Sequence, residues 1–249
     1  MLNILWRNMK WRFHNPVSIV VTILQPLIWL VLYSAVASQT MKNMGIGNYT
    51  AFILPGIMVL VTFSACSSGG IINFIMKTNG SFYRILIAPV SRSSIVLGQM
   101  LEAILVSFLE VAILYGVGLF FSVTVASGFA GIMVMILLIF MTAFFMSGLT
   151  YSLSLILPNE VIYETMMNAI VLPIFFLSPA LFPLENLSGG LKVAVLLNPF
   201  TYIINSLRRL ILGERILSGD LLPVIALFVV ICCGSFALAL WRLKKETAH

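Results

Sequence analysis

Two acidic residues, Glu102 and Glu110, lie inside a long apolar stretch of the sequence. With Gln99 they share an arc of about 80° on one side of a helix that turns by about 100° per residue. A carboxyl group at such depth in a membrane is costly and usually faces protein or a water-filled interior. No lysine or arginine lies within any apolar stretch of spanning length. Two interpretations follow: a protonated Glu110 held by hydrogen bonds inside the protein, which we favour, or a carboxylate that faces a hydrated cavity.

Residue types that carry enzyme chemistry are scarce elsewhere in the chain. The only two histidines, His14 and His249, are near the two ends. The three cysteines lie in apolar stretches without the spacing of a metal site. The sequence contains neither a GxxxxGKS or GxxxxGKT phosphate-binding loop nor a GxGxxG motif. We therefore predict no catalytic residues, no metal and no cofactor bound by this chain. The cysteines are Cys66, Cys232 and Cys233.

The composition indicates a membrane protein. Of the 249 residues, 61% are hydrophobic and 9% are charged, whereas an average soluble domain carries about 25% charged residues. So much apolar surface is stable only in lipid, which predicts an all-α membrane protein with one transmembrane domain over residues 1–249. The net charge of +6 comes from basic residues beside the apolar stretches, which indicates a lipid membrane and no nucleic acid as the partner.

Six stretches are long and apolar enough to cross the hydrocarbon core as helices. The first, 17–38, contains a small-residue AVA sequence like that of a signal-peptide cleavage site, but its apolar region is longer than in most signal peptides. In the second, Ala65 and Gly69, like Cys66 and Gly70, are four residues apart, which allows close packing of helices; a polar path is the alternative. The predicted spans are 17–38, 51–76, 95–123, 129–157, 161–181 and 221–240.

Two further segments are predicted to be helical without crossing the membrane. Residues 1–15 place apolar residues on one face and polar or basic residues on the other, which is typical of an interfacial amphipathic helix. In the long connection 182–222, Asn198-Pro199 is a good helix start, because Asn caps a helix and Pro suits its first position. The helix from there to Gly213 is too short to span, so we expect a re-entrant or surface helix.

A basic segment, 77–94, interrupts the apolar first half of the chain. We expect Ser81 to cap a short helix over 82–87, which ends before Pro89 because proline disfavours helix in the preceding residue. A short apolar helix beside basic residues at a membrane surface is either gripped by another protein or an ordinary basic loop. The basic residues are Lys77, Arg84 and Arg92.

Six spans place both termini on the same side of the membrane. Of the 14 lysine and arginine residues, nine fall on that side and five on the other. Because basic residues accumulate in cytoplasmic segments, both termini and the segment 77–94 are predicted to be cytoplasmic. The segment 182–222 is then extracellular.

Two stretches of the sequence carry a family resemblance: RILIAPVSRSSIVLGQ at 84–99, and 177–213, which contains LSPALFPLENL and LNPFTYIINSLRRLILG. With six spans and an amphipathic N-terminus, the whole chain resembles the permease subunits of type 2 ATP-binding-cassette (ABC) exporters. It departs from the family pattern where Tyr83, Pro179 and Ser188 stand. The matching positions are Phe182-Pro183-Leu184-Glu185, Asn198-Pro199, Tyr202, Arg208 and Gly213.

The resemblance implies that two permease subunits pair, as two copies or with a sister permease. Each would dock a separate ABC ATPase, which binds ATP and Mg²⁺ and moves the short helix after the second span, the coupling helix. The implied ATPase-coupling residues are Phe82, Tyr83, Arg84, Ile85, Leu86 and Arg92. The second and fifth spans line the path in the family, which implies a substrate path of Thr62, Ser64, Asn168, Phe175 and Phe176.

The expected function is outward transport of an amphipathic or hydrophobic cargo, since the fifth span is apolar and aromatic. Drugs, peptides, lipid-linked glycans and polysaccharides all fit the resemblance. A permease without a fused ATPase suggests a bacterial or archaeal plasma membrane. An ATP-independent channel or secondary transporter is the alternative, disfavoured by the missing inverted repeat and missing intramembrane charge pairs. A membrane-embedded lipid-modifying enzyme would need a polar cluster that the sequence does not offer.

Overall fold

A computed structural model describes residues 26–35 and 48–246 except 88, 185–187 and 215–217; before residue 26 it describes 5, 6, 9, 10, 20 and 24. Within these residues the chain is helical and contains no strand, which confirms the all-α class. The predicted interfacial helix 1–15 lies largely outside the described residues. The helices are α1 (Pro26–Ala35), α2 (Tyr49–Thr78), α3 (Ser81–Leu86), α4 (Arg92–Phe120), α5 (Gly128–Ile156), α6 (Glu160–Phe176), α7 (Gly189–Leu197), α8 (Pro199–Leu212) and α9 (Ser218–Glu246).

Four of the described helices, α2, α4, α5 and α9, are long and apolar enough to cross a membrane. They coincide closely with the second, third, fourth and sixth predicted spans. The first predicted span is described as helix only over Pro26–Ala35 and at positions 20 and 24. The count of six spans therefore stays a prediction.

The helix α2 forms the centre of the bundle and contacts α4, α5, α6 and α8. Most of its residues are buried, whereas few residues of α9 are. A chain of aromatic contacts joins α2 to its neighbours: the Phe63 and Phe200 ring centroids are 4.8 Å apart, and those of Phe200 and Phe228 are 5.4 Å apart. The hydrophobic core therefore lies around α2.

Small residues on α2 allow this central position. A Cβ atom on Gly69 would lie 3.0 Å from the Cβ of Ala103 on α4, and one on Gly70 would lie 2.1 Å from the hydroxyl oxygen of Tyr163 on α6. The Cys66 thiol donates to the carbonyl of Ala143 on α5 at 3.4 Å. The packing interpretation is confirmed for Cys66, Gly69 and Gly70, because these residues contact three neighbouring helices.

The two ends of the bundle differ. We call the end with α3 the α3 end, and the opposite end, with α7 and α8, the α8 end. At the α8 end, Tyr49 donates to the carbonyl of Leu181 at 3.0 Å, and the amide of Ala126 donates to the carbonyl of Ile211 at 3.2 Å. These bonds tie the α4–α5 connection and the start of α2 to the segment around α8.

Two boundaries differ from the sequence-based expectation. Ser81 is the first residue of α3 and makes no capping bond; the N-cap is Gly80, whose φ of 72° lies in the left-handed region that favours glycine. The helix α6 ends at Phe176, whereas the fifth span was expected to continue to residue 181. The structural reason is that Asn198 and Arg208 bind the carbonyl groups at and beyond this helix end.

Candidate functional site

The short helix α3 has two faces with opposite roles. Phe82 is 0% and Ile85 7% exposed, whereas Tyr83 is 54% and Ile87, directly after the helix, 85% exposed. Arg84 is exposed too. The inner face packs into a hydrophobic cluster with residues of α4, α5 and α9, and the outer face remains available to a partner. The cluster contains Phe82, Ile85, Ile95, Val96, Met100, Tyr151, Leu155, Ala239 and Leu243.

The six residues that the resemblance assigned to ATPase coupling therefore differ in their exposure. Tyr83, Arg84 and Arg92 are exposed, Phe82 and Ile85 are buried, and Leu86 is half-buried. Ile87, which the sequence placed in the coupling helix but not among the coupling residues, is exposed as well. The sequence indicates this exposure, because Ile87 is an apolar residue directly before Ala88-Pro89, where the helix must end.

Lys77 joins three helices at the α3 end. Its ammonium group donates to the carbonyl of Leu155 near the end of α5 at 3.1 Å and forms an ion pair of 2.5 Å with Glu246 at the end of α9. Because Lys77 lies in the last turn of α2, this side chain connects the ends of α2, α5 and α9 beside α3.

A groove runs between α2 and α6 along matching stripes of side chains. On α6, Glu164, Asn168, Val171 and Phe175 follow one another at helical spacing and so share one face. Two adjacent cavities of about 160 Å³ and about 290 Å³ fill the groove and share Ser64, Asn168 and Val171 as lining residues. We call these two cavities together the α2–α6 groove.

The two cavities differ in chemistry. The aromatic cavity is lined by Trp29 and Tyr33 of α1, which stack with ring centroids 5.3 Å apart, and by Phe175 and Phe176 of α6. The polar cavity lies nearer the α3 end. Its polar lining residues are Ser64, Ser67, Ser68, Glu164 and Asn168.

Four of the five residues expected to line a substrate path meet in this groove: Ser64, Asn168, Phe175 and Phe176. Thr62 lines neither cavity. It is completely buried and donates to the carbonyl of Met58 within its own helix at 2.9 Å. Sequence reasoning missed Glu164, Ser67 and Ser68, although each lies three or four residues from a named position on the same helix and so on the same face.

The two acidic residues of α4 are buried in the helix bundle, with Glu102 1% and Glu110 0% exposed. The carboxyl oxygen Oε2 of Glu102 lies 3.8 Å from the position of a Cβ on Gly69, so this side chain reaches the small-residue stretch of α2. Neither residue lines the α2–α6 groove. Their surroundings resemble a packed interior more than a water-filled path.

Asn198 links the end of α6 to the start of α8. Its amide group donates to the carbonyls of Ile174 and Leu177 at 2.6 and 2.8 Å, and its oxygen accepts from the backbone N–H of Phe200 at 3.0 Å. The predicted helix start at Asn198-Pro199 is confirmed, and the same side chain satisfies carbonyl groups that a helix end leaves unbonded.

Arg208 of α8 is also buried. Its Nε donates to the carbonyl of Phe52 at 3.0 Å, its Nη2 donates to the carbonyls of Pro179 and Ala180, and its guanidinium carbon lies 3.6 Å from the centroid of the Phe52 ring. A guanidinium group over an aromatic face and among carbonyl oxygens is a stable buried arrangement. Arg208 therefore holds the segment after α6 against the start of α2.

In the part of the chain that the structure describes, no group of three or more His, Cys, Asp or Glu residues is placed to hold a metal ion. The helix α3 and the groove between α2 and α6 contain most of the residues that the resemblance assigned to ATPase coupling and to the substrate path.

The family model described as ABC-2 type transporter matches residues 1–212. The chain is 29% identical over 198 residues to a protein of Cyanophora paradoxa named as a transport permease, ycf38, covering 78% of this chain and 68% of that protein. It is 25% identical over 212 residues to the daunorubicin resistance ABC transporter permease protein DrrB1 of Streptomyces coeruleorubidus, covering 84% of this chain and 74% of that protein.

Proposed function

The chain belongs to the ABC-2 type transporter family, and on that premise we propose that it is the permease subunit of an exporter driven by a separate ABC ATPase. The chain is a multi-pass membrane protein of transport-permease type, and its sequence contains no phosphate-binding loop. The ATP and Mg²⁺ that drive the exporter would bind to the partner subunit. The proposed permease domain spans residues 1–249, with residues 1–15 at the membrane interface.

The observation that carries this proposal is the division of α3 into an anchored and an exposed face. Tyr83, Arg84 and Ile87 offer the ATPase an aromatic, a cationic and an apolar contact on one short surface. Such a mixture is typical of interface centres, where aromatic residues and arginine dominate the binding energy.

The anchored face explains how movement would reach the membrane. Phe82 and Ile85 pack against α4, α5 and α9, so a force on α3 acts on three helices at once. Closely packed protein interiors transmit displacement instead of absorbing it. Closure of the ATPase dimer would therefore move α3 together with the ends of those helices.

The α2–α6 groove is the proposed path for the cargo. Its aromatic cavity suits an apolar or amphipathic molecule, since binding sites are mostly apolar with a few placed polar groups. The name of the Streptomyces coeruleorubidus relative, which refers to daunorubicin resistance, agrees with a drug-like cargo. Ser64, Asn168, Phe175 and Phe176 are the proposed contact residues.

A second permease, either a copy or a sister chain, would complete the path. On α6, Val161 is 72% exposed, and Phe176, which lines the aromatic cavity, is 60% exposed. The proposed arrangement has six spans, with both termini and the α3 end in the cytoplasm. The proposed location is a bacterial or archaeal plasma membrane.

The test is recovery of the ATPase with the tagged full chain from its native membrane in mild detergent. We expect the wild type to bring down a P-loop ATPase and a Tyr83→Ala, Arg84→Glu variant to lose it. Lys192→Glu on the exposed face of α7, at the α8 end, is the matched charge reversal and should retain the ATPase. Absence of an ATPase from the wild-type sample, with the chain folded, would contradict the proposal and favour an ATP-independent channel or transporter.

A further inference from the structure

Within the described residues, Glu164 is the one charged side chain among those that line the α2–α6 groove. It lies one turn from the start of α6, at the α3 end of the polar cavity, and its side chain is exposed to the groove. Among the residues that the structure describes, no lysine or arginine lines either cavity. A carboxylate beside the hydrocarbon region, without a cation in the same lining, attracts positive charge more strongly than it would in water.

The neighbouring groups reinforce this preference, because they present oxygen atoms as acceptors. The Ser68 hydroxyl donates to the carbonyl of Ala65 at 2.8 Å, and Ser68 lines the polar cavity. The side chains of Ser64 and Asn168 add further oxygen atoms where the two cavities meet. Carboxylate, hydroxyl and amide oxygens around about 290 Å³ form a site for a cationic group.

The other end of the groove presents aromatic faces. Trp29 and Tyr33 stack on one another, and the rings of Phe175 and Phe176 meet edge to face with centroids 5.5 Å apart. Such surfaces bind flat apolar groups and also attract cations through their ring faces. A positively charged group therefore suits both cavities, whereas an apolar aromatic group suits the aromatic cavity better.

We propose that the groove selects amphipathic cations: the positive group binds at Glu164 and an apolar, aromatic body lies against Trp29, Tyr33 and Phe175. The inference rests on the proposed function in taking the groove as the cargo path, and it narrows the cargo to one charge class. Glu164 is the specificity-determining residue in this arrangement.

The experiment compares two probes with the same apolar body, the cation methyltriphenylphosphonium and the uncharged triphenylphosphine oxide. Equilibrium binding is measured on the full-length permease, purified with its copurifying ATPase, in lipid nanodiscs. We expect Glu164→Gln to weaken binding of the cation about tenfold, as for the loss of one charge-assisted contact, and to leave the uncharged probe unchanged. Glu164→Asp should retain most of the preference.

Glu160→Gln is the matched control, since it removes an exposed carboxylate from the same helix one turn away and outside both cavity linings. It should leave the affinity for both probes unchanged. Trp29→Ala should weaken both probes alike, because it removes part of the shared apolar wall.

Several results would overturn the proposal. It falls if wild type binds the cation no better than the uncharged probe, if neither probe binds, or if Glu164→Gln and Glu160→Gln behave alike. It also falls if Glu164→Gln abolishes binding of both probes, because the carboxylate then serves assembly. If the ATPase copurifies while the cation preference is absent, the exporter proposal survives and the cation proposal fails. If the cation binds through Glu164 but no ATPase copurifies, the cation proposal survives and the exporter proposal fails.

Discussion

The Nζ atom of Lys77 lies 2.5 Å from the Oε1 atom of Glu246, although 169 positions separate the two residues in the chain. This ion pair closes the α3 end of the bundle, since Lys77 lies in the last turn of α2 and Glu246 ends α9. Both side chains are partly exposed, and the bond from Lys77 to the Leu155 carbonyl shares the same ammonium group. The contact therefore combines a modest ion pair with a hydrogen bond that closes a helix end.

Lys77→Met should destabilise the protein more than Glu246→Gln. The first change removes the ion pair and the donor to the Leu155 carbonyl, which we expect to cost about 1–2 kcal/mol. The second removes only a partly exposed charge pair, worth about 0.5 kcal/mol. Thermal unfolding midpoints in detergent measure both effects. Equal midpoints for the two variants would show that the carbonyl bond contributes nothing.

Phe82→Ala and Tyr83→Ala should affect different properties although the residues are neighbours. Phe82 is completely buried, and truncation of a buried Phe typically costs about 3–5 kcal/mol of stability. Tyr83 lies on the exposed face, so its truncation should change stability by less than about 0.5 kcal/mol and reduce ATPase recovery instead. Unfolding midpoints and pull-downs on the same preparations separate the two. Loss of stability in Tyr83→Ala would contradict the two-faced arrangement of α3.

Glu110→Gln should leave assembly and transport intact. Glu110 is buried with 0% exposure, and a glutamine side chain of nearly the same size and hydrogen-bonding capacity fits the same place. Copurification of the ATPase and transport by the reconstituted complex are the measurements. If Glu110→Gln assembles normally but transport stops, Glu110 takes part in the mechanism and the structural interpretation is wrong.

Gly70→Ala should destabilise the bundle, whereas Gly234→Ala should not. A Cβ atom on Gly70 would lie 2.1 Å from the Tyr163 hydroxyl oxygen and 3.2 Å from the Thr150 carbonyl oxygen, so α6 or α5 must shift. The same atom on Gly234 of α9 meets open space, where alanine is the better helix former by about 1 kcal/mol. Unfolding midpoints compare the pair, and similar values would show that α2 and α6 are not closely packed at Gly70.

Asn198→Ala should cost about 2–3 kcal/mol, because it removes the cap of α8 and both donors to the Ile174 and Leu177 carbonyls. Asn198→Asp keeps the capping oxygen but loses the donors. We expect it to be at least as damaging, since a carboxylate would face two carbonyl oxygens. Unfolding midpoints report the order, and a stable Asn198→Asp would show that the cap is the only important contact.

Local patterns predicted much of the fold. The apolar lengths agree with α2, α4, α5 and α9 because a helix that crosses lipid must bond its own backbone and expose apolar side chains along its whole length. The start of α8 was predictable from Asn198-Pro199, since capping involves only neighbouring residues. The end of α6 was not, because the amide that binds its last carbonyls belongs to Asn198, in a later helix.

The sequence by itself determined the class of this protein: a helical, lipid-embedded chain of transport-permease type, with a short helix between two long ones. Tertiary structure decided which face of α3 is buried, placed Thr62 away from the groove, and brought Glu164 level with Ser67 and Ser68. The physical reason is that apolar periodicity and capping act within a few residues, whereas a groove forms where two distant helices pack side by side. The bond from the Tyr163 hydroxyl to the Ser67 carbonyl, 2.9 Å long across 96 positions of the chain, is one such contact.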